Sequence, residues 1–381
     1  MSFRPKSWAN WHAHLEGRGA RSAHEFDLYS DSVVHGTTRD LGPYSVMNLI
    51  AGERRETALA RPVMALRVRY SADPNPEDAD AEHGRRQPDE VAALISLILG
   101  IRLKAGGATR HFDFWDKDEP LGAPRAQAEV QTPVLLPGAW TEIIAHARRT
   151  ADLDELEILD AYPRLDATSA IALMRSARLY QEALWLSERE PWLTWLLLVS
   201  AVETAANEHK SASEPAPADL LRELDPKLAA VAIKYGEECV RDVANTQRKL
   251  LGATKKFLVF LQTFMPEPPI LRPDKYRLEW TWDGLSGPLK QVYRLRSEYL
   301  HGGVPFPWQL RTAPPPQEGV PTERYPVRVE EGVSDPDLPM NVHVFEYIAR
   351  GALLRWWKSL VLLPPRSLVH SDSRVIEPPS P

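Results

Sequence analysis

The sequence predicts an α+β region over residues 1–160 followed by an all-α region over residues 166–362. Three observations predict this. Residues 61–70 alternate, with Met64, Leu66, Val68 and Tyr70 on one side, the period of a strand. From residue 166 onward apolar residues instead recur at three to four positions, the period of a helix. A length of 381 residues is enough for two ordinary domains.

Composition bounds the class. Hydrophobic residues make up 43% and charged residues 26% of the chain, values of a soluble globular protein. The net charge of −6 excludes a wholly basic nucleic-acid coat but leaves room for a local basic groove. The single cysteine, Cys239, excludes an intramolecular disulfide and a cysteine-based zinc site, and fits a reducing compartment. The longest apolar runs, near 91–101 and 192–202, are too short to span a membrane, and residues 1–21 carry no apolar signal region. A cytoplasmic protein with no membrane partner is expected.

In the first region, residues 71–88 are rich in Pro, Asp, Glu and Arg and read as a mobile loop. Asp89 is placed to cap a helix that carries Val91, Leu94, Ile95, Ile98 and Leu99 on one side. Residues 101–104 and 109–115 read as two short strands about a Gly106–Gly107 turn, and residues 130–136 as another strand. No dinucleotide fingerprint, P-loop or metal motif appears. His12, His14, His24, His35 and His111 fit no zinc spacing and read as surface or locally bonded histidines. The acidic run 152–157 reads as a solvated helix face, the commoner fate of such runs, rather than a cation site. No metal and no cofactor is expected.

In the second region, Asp166 or Thr168 can cap a helix to about residue 187, with Ile171, Met174, Ala177, Tyr180 and Leu184 along one side. Pro191 suits the first turn of the next helix, 192–208, which is apolar nearly all round and therefore central. Residues 211–217 read as a linker, and 220–239 and 246–264 as further helices. Four prolines make 266–273 a loop, and 284–288 precedes the next helix. A proline-rich insertion occupies 304–340, either with a task of its own or disordered. The last helix runs over 341–362, with Phe345, Ile348, Ala352, Leu353 and Trp356 in helical register, and 363–381 reads as a disordered tail.

One stretch carries chemistry. Residues 292–303, Val-Tyr-Arg-Leu-Arg-Ser-Glu-Tyr-Leu-His-Gly-Gly, read as the end of a helix, with Val292, Leu295 and Tyr299 as its buried stripe and Gly302 and Gly303 as its stop. Arg296 and His301 are five positions apart, about 140° of rotation, so they converge only if the helix tightens or ends between them. Histidine can take or give a proton near neutrality, and arginine supplies fixed charge for a phosphorane. Together they form a minimal ribonuclease kit that lacks a second proton-transfer group. The competing reading is structural: Arg294, Arg296 and His301 at a helix C-terminus stabilise its dipole and cap its carbonyls. Glu203 can bond Arg296 or His301 and orient them, can pair with Arg175 or Arg178, or can face solvent. Arg248, Lys249, Lys255 and Lys256 make one basic face, and Lys290 and Arg294 a shorter one; either can meet RNA phosphates or be solvated.

An arginine, four residues, a histidine at a helix end and a Gly-Gly pair resemble the signature of HEPN domains, in the form found in the Apea-like HEPN group of bacterial defence proteins. Ser297 stands where that family usually carries Asn, His or Asp, and with Glu203 it is taken as a supporting residue. The resemblance implies an up-and-down helical bundle over 166–362. It also implies two motifs facing each other in one cleft. With one good motif in the chain, that means a homodimer with Arg296 and His301 from both copies. The implied activity is metal-independent endonucleolytic cleavage of RNA to a 2′,3′-cyclic phosphate and a 5′-hydroxyl. The implied role is effector of an anti-phage defence or stress system, with the first region sensing a trigger or restraining the effector and with a possible regulatory protein partner. A toxin of a toxin–antitoxin pair fits less well, because Gly303 stands where such toxins carry Tyr. The alternative is a non-catalytic HEPN-like dimer that binds nucleic acid or a partner.

Overall fold

The computed structural model describes residues 4–49, 60–71, 86–113, 121–126, 132–135, 142–209, 216–325 and 338–362, the side chains of 248–251 excepted. A short helix α1 (Lys6–Leu15) leads into β1 (Ser22–Ser30), β2 (Val33–His35), β3 (Arg39–Leu41), β4 (Tyr44–Asn48) and β5 (Arg61–Tyr70). Helix α2 (Gln87–Leu99) then precedes β6 (Lys104–Asp113) and β7 (Ala123–Pro124). Six strands form one antiparallel sheet in the order β3-β4-β5-β1-β6-β7. The alternation of β5 sets its register: Leu66 opposes Phe26 on one side and Val46 on the other, and all three are buried.

Three expectations for this region change. Lys104–Asp113 is one strand, not two about a glycine turn. Its pairing with β1 shifts register between Glu25 and Phe26 and again between Phe26 and Leu28. Bulges opposite β1 thus absorb the glycines without reversing the chain. Asp89 sits in the first turn of α2, where it accepts from the Arg86 backbone amide at 3.1 Å, and Arg86 holds the cap position. Residues 132–135 are not strand; there the Val134 carbonyl accepts from the Trp185 indole at 3.1 Å. The rest of 130–136, most of the loop 71–88, residues 211–215 of the 211–217 linker and the tail 363–381 lie outside the described residues, and Pro217 of that linker already opens the next helix.

A parallel bridge joins β2 to β8 (Thr150–Asp152), and a long 3₁₀ segment, Leu153–Arg164, follows. The acidic run folds into it: Asp152 accepts from the Asp154 amide, and Glu155 meets Arg149 at 2.5 Å. Those carboxylates therefore serve caps and pairs, as a solvated face would.

Next come α3 (Ala167–Leu186) and α4 (Pro191–Glu208), an antiparallel hairpin. Asp166 caps α3, accepting from the Thr168 and Ser169 amides at 3.0 and 3.1 Å. The helix expected over 220–239 is three pieces: α5 (Pro217–Leu224), α6 (Pro226–Ile233) and α7 (Glu237–Thr246). Pro226 lacks the amide that would continue α5, and Gly236, with φ of 98°, turns the chain again. Helices α8 (Arg248–Thr263), α9 (Trp282–Gly302) and α10 (Val342–Leu362) complete the helical part. No helix among the described residues is long and apolar enough to cross a membrane.

Trp195 of α4 is the centre of this packing. Its ring stacks on Phe306 and Phe345, with centroids 6.0 and 5.5 Å apart, and its indole donates to the Leu310 carbonyl at 2.8 Å. Phe306 belongs to the proline-rich segment, so the described part of that segment is folded. It carries a 3₁₀ turn, Trp308–Arg311, and a small hairpin of β9 (Pro316–Gln317) and β10 (Val320–Pro321). Glu323 there is 3% exposed and accepts from Arg272 Nε and Nη2, at 2.6 and 2.7 Å.

One cluster of buried side chains runs from Trp8 to Trp357 and crosses the 160–166 boundary drawn from the sequence. Lys104 meets Glu182 at 2.8 Å, and the buried Arg102 lies between Asp31 and Glu188 at 3.4 and 3.2 Å. Arg350 of α10 donates to the Leu97 carbonyl at 3.0 Å and to that of Ile98, satisfying the open end of α2. Pro266 lies so close to Gly351 that a Cβ there would stand 2.6 Å from its ring.

Candidate functional site on the motif helix

Helix α9 starts earlier than the sequence suggests. Thr281 caps it, accepting from the Gly284 amide at 3.1 Å, so residues 284–288 belong to its first turns. It then runs unbroken through His301 and ends at Gly303, whose φ of 64° is left-handed. The Gly303 amide donates to Tyr299 and the Val304 amide to Glu298, the paired return bonds of a glycine-terminated end. No helix end falls between Arg296 and His301. They stay about 140° apart, and the convergence that the glycines could have allowed does not occur within one chain.

Arg296 faces α4. Its Nη2 donates to Glu203 Oε2 at 2.6 Å, and the Tyr293 hydroxyl donates to Glu203 Oε1, also at 2.6 Å. The Arg296 guanidinium lies 5.8 Å from the Tyr293 ring centre, and both charged side chains are 18% exposed. Burial, then the bond to Glu203, push the Tyr293 phenol well above its ordinary pKa, so it stays a donor. Of the options for Glu203, the structure thus selects Arg296, with Tyr293 added. The buried Nε of Arg296 has no hydrogen-bond partner among the described residues.

His301 is exposed, and no described residue hydrogen-bonds its ring. Its chain neighbours Leu300 and Val304 are 49% and 52% exposed, and Trp308, in the 3₁₀ turn that follows, is 55% exposed. Tyr299, two residues before it and so on nearly the opposite face, packs on Trp192 and Phe306.

A cleft of about 930 Å³ runs along another face of α9. Lys290, Arg294 and Ser297 line it, with Lys227 and Arg324 from elsewhere in the chain. Ser297 therefore faces the cleft rather than Glu203. Burial lowers the Lys290 pKa, while Asp225 and Glu223 partly restore it. Arg294 pairs with Glu298 at 3.3 Å. The other basic face is less available: Lys255 is held by Glu223 at 2.6 Å, Lys256 is exposed, and the Arg248 and Lys249 side chains lie outside the described residues. Among the described residues no group of three or more His, Cys, Asp or Glu could hold a metal ion.

A second polar cluster was not visible in the sequence. Glu346 of α10 is fully buried and accepts from the Tyr180 hydroxyl and the His146 ring. Burial pushes its carboxyl up, but His146 and Tyr180 together outweigh that and hold it below the ordinary value. His343, beside it, is driven down to about 3 by burial and by His146. The members are up to 200 residues apart, so no spacing could announce them.

No family model, curated protein or solved structure matches the chain.

Proposed function

We propose that the chain is a metal-independent RNA endonuclease of HEPN type whose site forms between two copies. The observation that carries this reading is the exposed, unpaired imidazole of His301 at the glycine-capped tip of a helix whose arginine is already fixed by Glu203. Cleavage through the 2′-hydroxyl needs one group to accept its proton and another to protonate the leaving 5′-oxygen. One chain offers one such imidazole at this helix end. A two-fold axis near Leu300, Val304 and Trp308 supplies the second and covers exposed apolar surface. Arg296, oriented by Glu203 and Tyr293, then stabilises the charge on the phosphorane. The products are a 2′,3′-cyclic phosphate and a 5′-hydroxyl. In the cell such an enzyme acts as the effector of an anti-phage defence or stress response, and its uncontrolled expression is toxic.

The test is RNA cleavage with and without EDTA, wild type against His301→Ala, alongside sedimentation. Dimers that cut RNA in EDTA, and a dead His301→Ala dimer, support the reading. A monomer that still cuts RNA sinks the shared site. A second reading rests on the Arg296–Glu203 pair: a charge already neutralised at 2.6 Å suits a dimeric nucleic-acid- or partner-binding protein without catalysis. Wild type that binds RNA and never cuts it favours that reading.

A further inference from the structure

Helix geometry links the cleft to His301. On α9, residues Gly287, Lys290, Arg294 and Ser297 line the cleft at three- to four-residue spacing. His301 continues that row, seven residues and so only about 20° from Arg294. Arg296 points nearly the other way, about 200° from Arg294. The row rises about 16 Å from Lys290 to His301.

The charges in the cleft are unbalanced. Four cations, Lys227, Lys290, Arg294 and Arg324, face two carboxylates there: Glu298 holds Arg294, and Asp225 caps α6 through the Leu228 amide at 3.0 Å while also acting on Lys290. Lys227 and Lys290 have no ion pair among the described residues, and Arg324 has a buried Nε without a hydrogen-bond partner there. Asp225 and Glu223 restore only part of what burial takes from the Lys290 charge, so an anion arriving beside it favours the charged form. Between these cations the wall is apolar, from Leu224, Pro288, Leu295 and Leu338. Phosphate-binding cations beside an apolar wall suit a nucleotide whose base has left its stack. A volume of about 930 Å³ is on the scale of a small-ligand pocket and too small to admit a duplex.

We propose that this cleft is the binding track for an unpaired stretch of the RNA strand, whose phosphates meet Lys227, Lys290 and Arg324 and which is delivered along the Arg294 row to His301. The inference rests on the ribonuclease reading for its substrate and adds where the strand lies and that it is single-stranded. It also assigns Lys227 and Arg324 a role.

Binding of a labelled 2′-O-methyl RNA strand, which cannot be cut, tests this apart from catalysis. Fluorescence anisotropy over a salt series is measured for wild type, Lys290→Ala, Lys227→Ala, Lys227→Glu and Arg324→Ala, each with a melting curve. The expected result is at least tenfold weaker binding for Lys290→Ala and Lys227→Glu, and a salt slope smaller by about 0.7 for each lysine changed to alanine. The same strand in a duplex should bind at least tenfold more weakly than when free. Lys227 is exposed on a short helix, so Lys227→Glu keeps the test open should Arg324→Ala fail to fold. Wild type that ignores the strand, variants that bind as wild type does, or a duplex that binds equally well overturn the track. Charge-dependent binding without cleavage of ordinary RNA leaves the track standing and removes the ribonuclease reading.

Discussion

Replacing Glu203 with alanine should be among the more damaging single changes in the helical part. Its carboxylate takes two bonds of 2.6 Å, one from Arg296 and one from the Tyr293 hydroxyl. Hydrogen bonds to charged groups contribute about 1.5–3 kcal/mol each. With both charged side chains 18% exposed, water can replace part of that, so the lower end of each range applies. Removing the carboxylate also strands a guanidinium whose Nε already has no hydrogen-bond partner among the described residues. A loss of about 2–4 kcal/mol follows, which lowers the melting temperature of a chain this long by roughly 3–5 °C. Arg296→Ala should lose less, about 1–2 kcal/mol, because the carboxylate keeps Tyr293 and reaches water. The double variant should lose less than the sum of the two, with a coupling of about 1.5 kcal/mol or more. Urea titrations of the four proteins give these values. Additivity within about 0.5 kcal/mol would show that the pair is a surface contact of no consequence, and the view of Arg296 as held in place would fall.

His301→Ala should leave the melting temperature within about 1 °C of wild type, since the ring is exposed and no described residue hydrogen-bonds it, yet cut the cleavage rate by about 10²-fold or more; a mild rate loss that tracks stability would make the residue a cap and nothing else. His343, driven to about 3 by burial, stays neutral when folded, whereas an unfolded histidine titrates near 6.5. Its contribution is therefore intact above about pH 6.5 and lost as pH falls towards 3, at up to about 1.4 kcal/mol per unit. Denaturant midpoints at several pH values should fall less steeply for His343→Gln than for wild type; parallel curves would refute this. Residues 1–164 and 165–381 expressed separately should be poorly folded and should recover structure when co-expressed, because Arg102, Lys104 and Arg350 tie the two parts through one core; circular dichroism of each piece decides. Gly351→Ala should destabilise by about 1–3 kcal/mol, since its methyl meets the Pro266 ring, which has no free rotamer to yield; an unchanged urea midpoint would argue against so tight a contact.

Local signals in this chain were legible, and their failures were non-local. The strand 61–70, the Asp166 cap and Pro191 at the start of α4 are set by residues within one turn or one pleat, and all stand as read. The glycine stop of α9 was also readable, though it falls at Gly303 and leaves His301 inside the helix. Pro226 and Gly236 carried their usual meaning, but the surrounding apolar period masked it and three short helices were read as one. Gly106 and Gly107 misled in the opposite sense, because only pairing with β1 decides whether two glycines turn a strand or bulge it. Glu203 was suspected, and its choice between four partners needed the packing of α4 on α9. Arg324 in the cleft and the trio Tyr180, His146 and Glu346 depend on contacts between distant segments, which no periodicity encodes.

The place of α10 in the fold also fixes a schedule. The bonds from Arg350 to the end of α2 join residues 252 and 253 positions apart, and α10 is the last described element to be translated. At about 5–20 residues per second, α2 waits roughly 10–50 s on the ribosome before that end is closed. During this time its apolar side, and the side of α4 that Phe345 later covers, are open to chaperones and to other nascent chains. A chain stopped short of residue 342 therefore carries the motif helix with its partners on α4 and α8 already made, but leaves the end of α2 and the Trp195 face of α4 uncovered.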